Sequence, residues 1–252
     1  LPGRERVSGT GERAVRSRIW GLVVASNLLA AASATHAAEF GLFGTREFRA
    51  ASLAGLQQWR SVLERVEAER PRWRECALDP SRCPSRGAAA WRALVKSLEG
   101  APLVEQLHAV NRFANQYRYK PDEQNWGKSD HWATPLEFLA RSGDCEDYAI
   151  FKYLTLRELG VPADRLRLVV LKDTLRDLVH AVLAVRDDDG QIWILDNVTN
   201  AVLRHDRLGH YVPYYSVNEE ARWAHLGTAS TYTVRIDPRL LLGGGRTGTG
   251  AP

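Results

Sequence analysis

Apolar residues recur at three- and four-residue steps through the first half of the chain. Between Glu47 and Glu69 they fall at Phe48, Leu53, Leu56, Trp59, Val62, Leu63 and Val66, which predicts an amphipathic helix. Pro71 and a loop over 76–84 are expected to interrupt it. A second helix is predicted from Ala88 to Glu99, stopped by Gly100 and Pro102. A third runs from Leu103 to Tyr117, with Leu107, Val110, Asn111 and Ala114 on one stripe. The stretch YRYKPDEQNWGKSDHWATP is polar and aromatic without a period and reads as a loop. Pro135 then opens a short helix, PLEFLARS, ended by Gly143. The helical pattern resumes from Asp144 to Leu159, with Asp144 suited to an N-cap and Asp147 three residues on, and Gly160 and Pro162 terminate it.

Beyond Pro162 the pattern becomes that of strands. RLVVLKD (167–173), LVHAVLAVR (178–186) and QIWILDNV (191–198) are rich in Val, Ile and Leu, and the last two are joined by Asp187-Asp188-Asp189-Gly190, a hairpin signal. HYVPYYSV (210–217) and STYTVRID (230–237) supply two more strands. Helices first and an antiparallel sheet after is an α+β arrangement. The organisation expected is a leader over 1–37, a helical part over 38–120, a sheet-bearing core over 121–238 and a disordered tail over 239–252.

Within the leader, Arg13, Arg16 and Arg18 precede the apolar run IWGLVVASNLLAAASA, and ATHAAEF carries Thr35 and Ala37 at positions suited to a cleavage site. A cleavable export signal is expected, and the protein is expected in the periplasm. A retained anchor, against which stand the shortness of the run and its Asn27, and a cytoplasmic N-terminal extension are the other readings. Export changes the reading of charge. Residues 1–37 hold five arginines against two glutamates, so +1 of the chain's net +4 remains for the rest. No basic face for nucleic acid is left to explain, and nucleic-acid binding is not expected.

The chain has three cysteines. In an oxidising compartment Cys76 and Cys83, which bracket the turn signal Asp79-Pro80-Ser81, are candidates for a disulfide, with two reduced thiols as the alternative. Cys145 is left over, inside GDCEDY, among three carboxylates that disfavour a thiolate. It opens a helix, where free backbone N–H groups and the helix dipole favour an anion. His180 lies mid-strand and Asp196 ends the next strand of the hairpin. A cysteine, an imidazole to take its proton and a carboxylate to orient that imidazole form a Cys-His-Asp triad. Taken singly, each residue reads more plainly as structural; together they favour catalysis.

The segment WATPLEFLARSGDCEDYAIFKYLTLRELGVP, followed by VHAVLAV and WILDN, resembles the bacterial transglutaminase-like cysteine proteinases over roughly 103–237. The resemblance implies a papain-like fold of the transglutaminase subgroup, with a helical N-terminal part packed on an antiparallel sheet. It implies Cys145 as nucleophile, His180 as base and Asp196 as orienter. It further implies Ca²⁺ dependence, cleavage of a large surface adhesin near its N-terminus after paired alanines, and control by the periplasmic domain of an inner-membrane cyclic di-GMP receptor.

Asp144, Glu146 and Asp147 project away from Cys145 around the helix, and hard carboxylate oxygens so grouped suit Ca²⁺, which would offset their field on the thiolate. The resemblance carries Asp144 and Glu146 as ligands more firmly than Asp147. The alternative is that these are helix-start acids contributing about 1 kcal/mol. Trp126 and Trp132 flank GKSDH upstream, and an indole N–H, Trp126 first, is a candidate oxyanion donor; packing in core or cleft walls is the plainer role for both, as a loop role is for His131. Two further functional classes remain open: acyl transfer or wall-amide hydrolysis through the same triad, and a non-catalytic calcium-binding docking module.

Overall fold

The computed structural model of the chain describes residues 41–227. Its centre is the helix α6 (Cys145–Glu158), of whose fourteen residues ten, from Asp147 to Leu156, are buried. A helix sealed on every side must have partners all round. They are α3 (Leu103–Ala114) and α5 (Pro135–Arg141) on one side and the strands β2 (Leu166–Asp173) and β3 (Leu178–Arg186) on the other. Outside these lie α1 (Gln57–Leu78) and α2 (Arg86–Leu98). Ser85 caps α2 by accepting from the Ala88 N–H at 3.0 Å.

The remaining strands are β1 (Arg46–Ala50), β4 (Ile192–Leu195), β5 (Leu203–Arg204), β6 (Tyr211–Val217) and β7 (Arg222–Leu226), and a short helix, α4 (Asp122–Trp126), lies before α5. They complete a seven-stranded sheet in the order β1-β7-β6-β2-β3-β4-β5, with every pairing antiparallel. Both faces of its centre are covered. Leu166, Leu168, Leu183, Val185, Leu195 and Val217 pack with the helices, while Val169, Leu171, Val182, Ala184, Ile192 and Ile194 pack with Leu42, Leu208 and Tyr211. Double burial explains why these strands read as continuous apolar runs. The described part is thus α+β, as the pattern implies.

The structure departs from the sequence reading at several elements. Residues 46–50 form an edge strand, and the helix starts only at Gln57. Glu47 is drawn inward by a buried ion pair, Glu47 Oε2 to Arg167 Nη1 at 2.6 Å, a partner 120 residues away that no local period reveals. Pro71 does not end α1, because it sits on the exposed side of the helix, where the carbonyl left without a donor meets water. Cys76, at the end of α1, is disulfide-bonded to Cys83, with Cα atoms 4.4 Å apart. The strands β1, β5 and β7 and the helix α4 form where the sequence pattern implies none. The leader over 1–37, the strand over 230–237 and the tail over 239–252 lie outside the described residues. Among the described residues no helix is long and apolar enough to cross a membrane.

The ion pair closes the β1 end of the sheet. The Arg167 guanidinium lies 3.7 Å from the ring centroid of Trp223, and His225 bonds Thr45 Oγ1 at 2.9 Å and Ser216 Oγ at 2.8 Å. Burial pushes the His225 pKa down to about 4, with Glu47 pulling it up and Arg167 down. The folded chain therefore keeps His225 neutral while the unfolded chain protonates it near pH 6.5. The contribution of His225 to stability should be complete above pH 6.5 and should be lost, by up to about 3 kcal/mol, as pH drops to about 4. The difference in urea unfolding between the native chain and His225→Gln, taken at a series of pH values, checks this and should change across that window.

Candidate active site

The turn that presents Cys145 is tied down on every side. Ser142 holds φ 67° and ψ −165°, a backbone conformation few non-glycine residues adopt. Its carbonyl accepts from Asn125 Nδ2 at 3.1 Å, its hydroxyl donates to the Arg118 carbonyl, and the next carbonyl, of Gly143, accepts from the Lys120 N–H at 2.8 Å. A Cβ on Gly143 would overlap the Asp147 carboxylate, so glycine is required there. Asp147 in turn accepts from the Ala133 N–H at 2.6 Å and the Asp144 N–H at 3.2 Å. The start of α6 is thereby fixed to the loops before it.

Cys145 is half-buried at the first turn of α6, and the Ala181 N–H is directed at its sulfur. That places the sulfur against the residue following His180. His180 is buried, and its Nε2 lies 2.9 Å from Asp196 Oδ1, leaving Nδ1 as the ring nitrogen not engaged by the carboxylate. Asp196 also accepts from the Tyr211 hydroxyl at 2.5 Å and the Val198 N–H at 3.0 Å, and its carbonyl accepts from Asn115 Nδ2 at 2.9 Å. Burial pushes the Asp196 carboxyl up, but the bond and charge of His180, with those of Tyr211 and Val198, hold it down at about 2. The carboxylate is thus ionised at any working pH and can orient an imidazole and support its protonated form.

The acids form a second, adjoining cluster. One oxygen each of Asp122, Asp130 and Glu146 lie within 4.8 Å of one another, and the same holds for Asp122, Asp144 and Asp147. Burial and the neighbouring carboxylates push Asp122 up to about 6, Asp147 up to about 8, and Glu146 well above its ordinary value. Asp122 Oδ1 and Asp144 Oδ1 are buried with no hydrogen-bond partner. Unpartnered carboxylate oxygens in such a cluster fit a hard divalent cation such as Ca²⁺. Without positive charge there, burial pushes the Cys145 thiol up, and Glu146 and Asp144 push it further; the thiol donates to Glu146 Oε2 at 3.3 Å.

This arrangement coincides with a known family. Residues 73–231 match the bacterial transglutaminase-like cysteine proteinases (BTLCP). The chain belongs to that family. Among solved structures it resembles Legionella pneumophila LapG at 33% identity and TM-score 0.53, covering 61% of this chain and 86% of that one. EGTA-treated LapG gives the same identity and score. Calcium-bound LapG gives 31% identity and TM-score 0.54, over 66% of this chain and 93% of that one. Comparison with curated proteins returned no match.

In this transglutaminase-like cysteine peptidase, the two tryptophans differ: the Trp132 indole N–H is engaged and that of Trp126 is not. Trp132 is buried and its indole N–H donates to Asp130 Oδ1 at 2.9 Å. Trp126 packs on His131, the rings tilted by 41° with centroids 4.2 Å apart, under the Arg141 guanidinium at 4.6 Å, and lines a pocket of about 380 Å³ with Glu69, Leu136 and Glu137. Its indole nitrogen is buried without a partner. His131 bonds Glu137 Oε2 at 3.3 Å and donates its backbone N–H to Asp122. Sequence reasoning missed Asp122, which follows Pro121 and looks like any first-turn acid, and Tyr211, whose hydroxyl braces Asp196 from a strand 15 residues away.

Carboxyl groups held protonated by their neighbours must release protons when a cation binds. Calcium binding to the chelated protein at pH 7 should release protons, seen by calorimetry in buffers of differing ionisation enthalpy. The affinity should rise from pH 6 to pH 8, and Asp122→Asn should weaken it at least about tenfold.

Proposed function

We propose that this proteinase is a calcium-dependent periplasmic endopeptidase that cuts a large surface adhesin near its N-terminus, after paired alanines, and so controls attachment in biofilms. The observation that carries the catalytic part is the pairing of His180 Nε2 with Asp196 at 2.9 Å beside a helix-start cysteine whose sulfur faces the next backbone N–H. Calcium is supported by the orphaned oxygens of Asp122 and Asp144 and by the likeness to calcium-bound LapG. The adhesin substrate, and restraint by the periplasmic domain of an inner-membrane cyclic di-GMP receptor, rest on the family resemblance, and the periplasmic location on the basic and apolar leader.

His180, through Nδ1, takes the proton of the Cys145 thiol, and the sulfur adds to the scissile carbonyl carbon. Backbone N–H groups at the start of α6 face the oxygen that gains charge. The imidazolium returns its proton to the leaving amine as the C–N bond breaks, leaving a thioester on Cys145. Water, deprotonated by His180, then adds to the thioester and releases the acid and the thiol. Asp196 keeps the ring in the tautomer that has Nδ1 free. Asp122, Asp130, Asp144 and Glu146 would hold the cation, which would supply positive charge to offset the field of the acids on the thiolate.

Purified protein should cut an adhesin fragment containing paired alanines, and chelation should stop it. Cys145→Ala should abolish cleavage, and Asp196→Asn should lower kcat by about 10²–10⁴-fold with the fold intact. Cleavage by the Cys145→Ala chain, or cleavage indifferent to chelator, contradicts the reading. Incorporation of an added amine in place of water, followed by mass spectrometry, would identify acyl transfer instead.

A further inference from the structure

Phe43 has a left-handed backbone, φ 51° and ψ 30°, in the turn Leu42–Gly44. A side chain of that size is held there against a steric cost, which persists only where the surroundings enforce it. They do so from both sides. Leu42 is fully buried and donates its N–H to Glu47 Oε1 at 3.1 Å, and the Phe43 N–H donates to His205 Nδ1 at 2.9 Å. Burial holds the His205 pKa down, which keeps that ring neutral and able to accept. The strained backbone places one ring: Phe43 meets His205 and Tyr211 edge-on, with centroids 5.9 Å away in each case.

Leu42, Phe43 and Tyr211 pack together on the sheet face away from the helices. Tyr211 is buried, with the His210 ring centroid 4.3 Å away and that of His180 6.0 Å away. Its hydroxyl donates to Asp196 Oδ2 at 2.5 Å, while Asp196 Oδ1 is taken by His180 Nε2 and the Val198 N–H. Tyr211 thereby assigns the two oxygens. Without its hydroxyl the buried Oδ2 would need another donor, and rotation of the carboxylate would make both oxygens compete for His180. Burial and the Asp196 carboxylate push the Tyr211 hydroxyl up, so it stays a donor at every working pH.

We propose that Phe43 and Tyr211 are positioning residues. The strained turn at 42–44 holds the Tyr211 ring, whose hydroxyl fixes the Asp196 carboxylate and with it the tautomer of His180, from the sheet face opposite the helices. The inference rests on the roles proposed for His180 and Asp196, and its test reads the imidazole whether or not any peptide is cut.

The imidazole ¹⁵N shifts of His180 in the full-length protein report its tautomer, with the proton expected on Nε2 in the native chain. Tyr211→Phe keeps the ring and removes one hydroxyl, and Phe43→Gly removes the ring and relieves the left-handed backbone. Each should bring the Nε2 and Nδ1 shifts of His180 toward one another as two tautomers mix, while those of His108 on α3 stay. In an Asp196→Ala chain, where nothing is left to orient, neither substitution should change the His180 shifts further. Each should also lower kcat on the adhesin fragment about tenfold, with KM within about twofold. Unmoved His180 shifts in either folded variant, or equal effects in the Asp196→Ala chain, overturn the proposal. A native chain that cuts no fragment counts against the proposed function alone, and the ¹⁵N shifts still decide this inference.

Discussion

Crowding of negative charge at the start of α6 is the constraint to which the rest of the site answers. Asp122, Asp130, Asp144, Glu146 and Asp147 converge where Cys145 must become an anion. Each carboxylate raises the cost of ionising its neighbours, and all of them raise the cost of ionising the thiol. The helix dipole contributes at most about 2 kcal/mol against this, too little for several like charges in a buried setting. Under the proposed function a divalent ion held in the cluster would reverse the sign of the local field, and the acids that oppose the thiolate would become the means of placing positive charge beside it.

The scaffold around that cluster is built for rigidity. Ser142 in a rare conformation, Gly143 pressed on Asp147, and Asp147 spent on two backbone N–H groups leave the turn before Cys145 little freedom. On the sheet side, Tyr211, Val198 and Asn115 fix Asp196 where it meets His180. A proton-transfer pair gains from such prior ordering because no reorganisation is needed as charge moves.

Much of this was legible in the sequence. The Asp-Gly hairpin makes β3 and β4 neighbours, and alternation brings His180 and Asp196 to one side of them. The helix after Gly143 was readable from Asp144 and the apolar run. What escaped depends on distant partners. Glu47 lies in a strand because Arg167 and β7 receive it, and residues 46–50 carry no β-branched side chain to announce that. Pro71 lies inside α1 although proline predicts a stop, because its exposed position is set by tertiary packing. Asp122 joins the acid cluster only after α4 folds back on the α5–α6 turn, through Asn125 to Ser142 and Arg141 to the Asn125 carbonyl.

With Cys76 and Cys83 joined, Cys145 is the one free thiol of the chain's three cysteines. Its alkylation by iodoacetamide, followed across pH with calcium and then with chelator, measures the central claim directly. The thiolate should form at least about one pH unit lower in the presence of calcium. Superimposable rate profiles in the two conditions would contradict the claim that the cation makes the sulfur reactive.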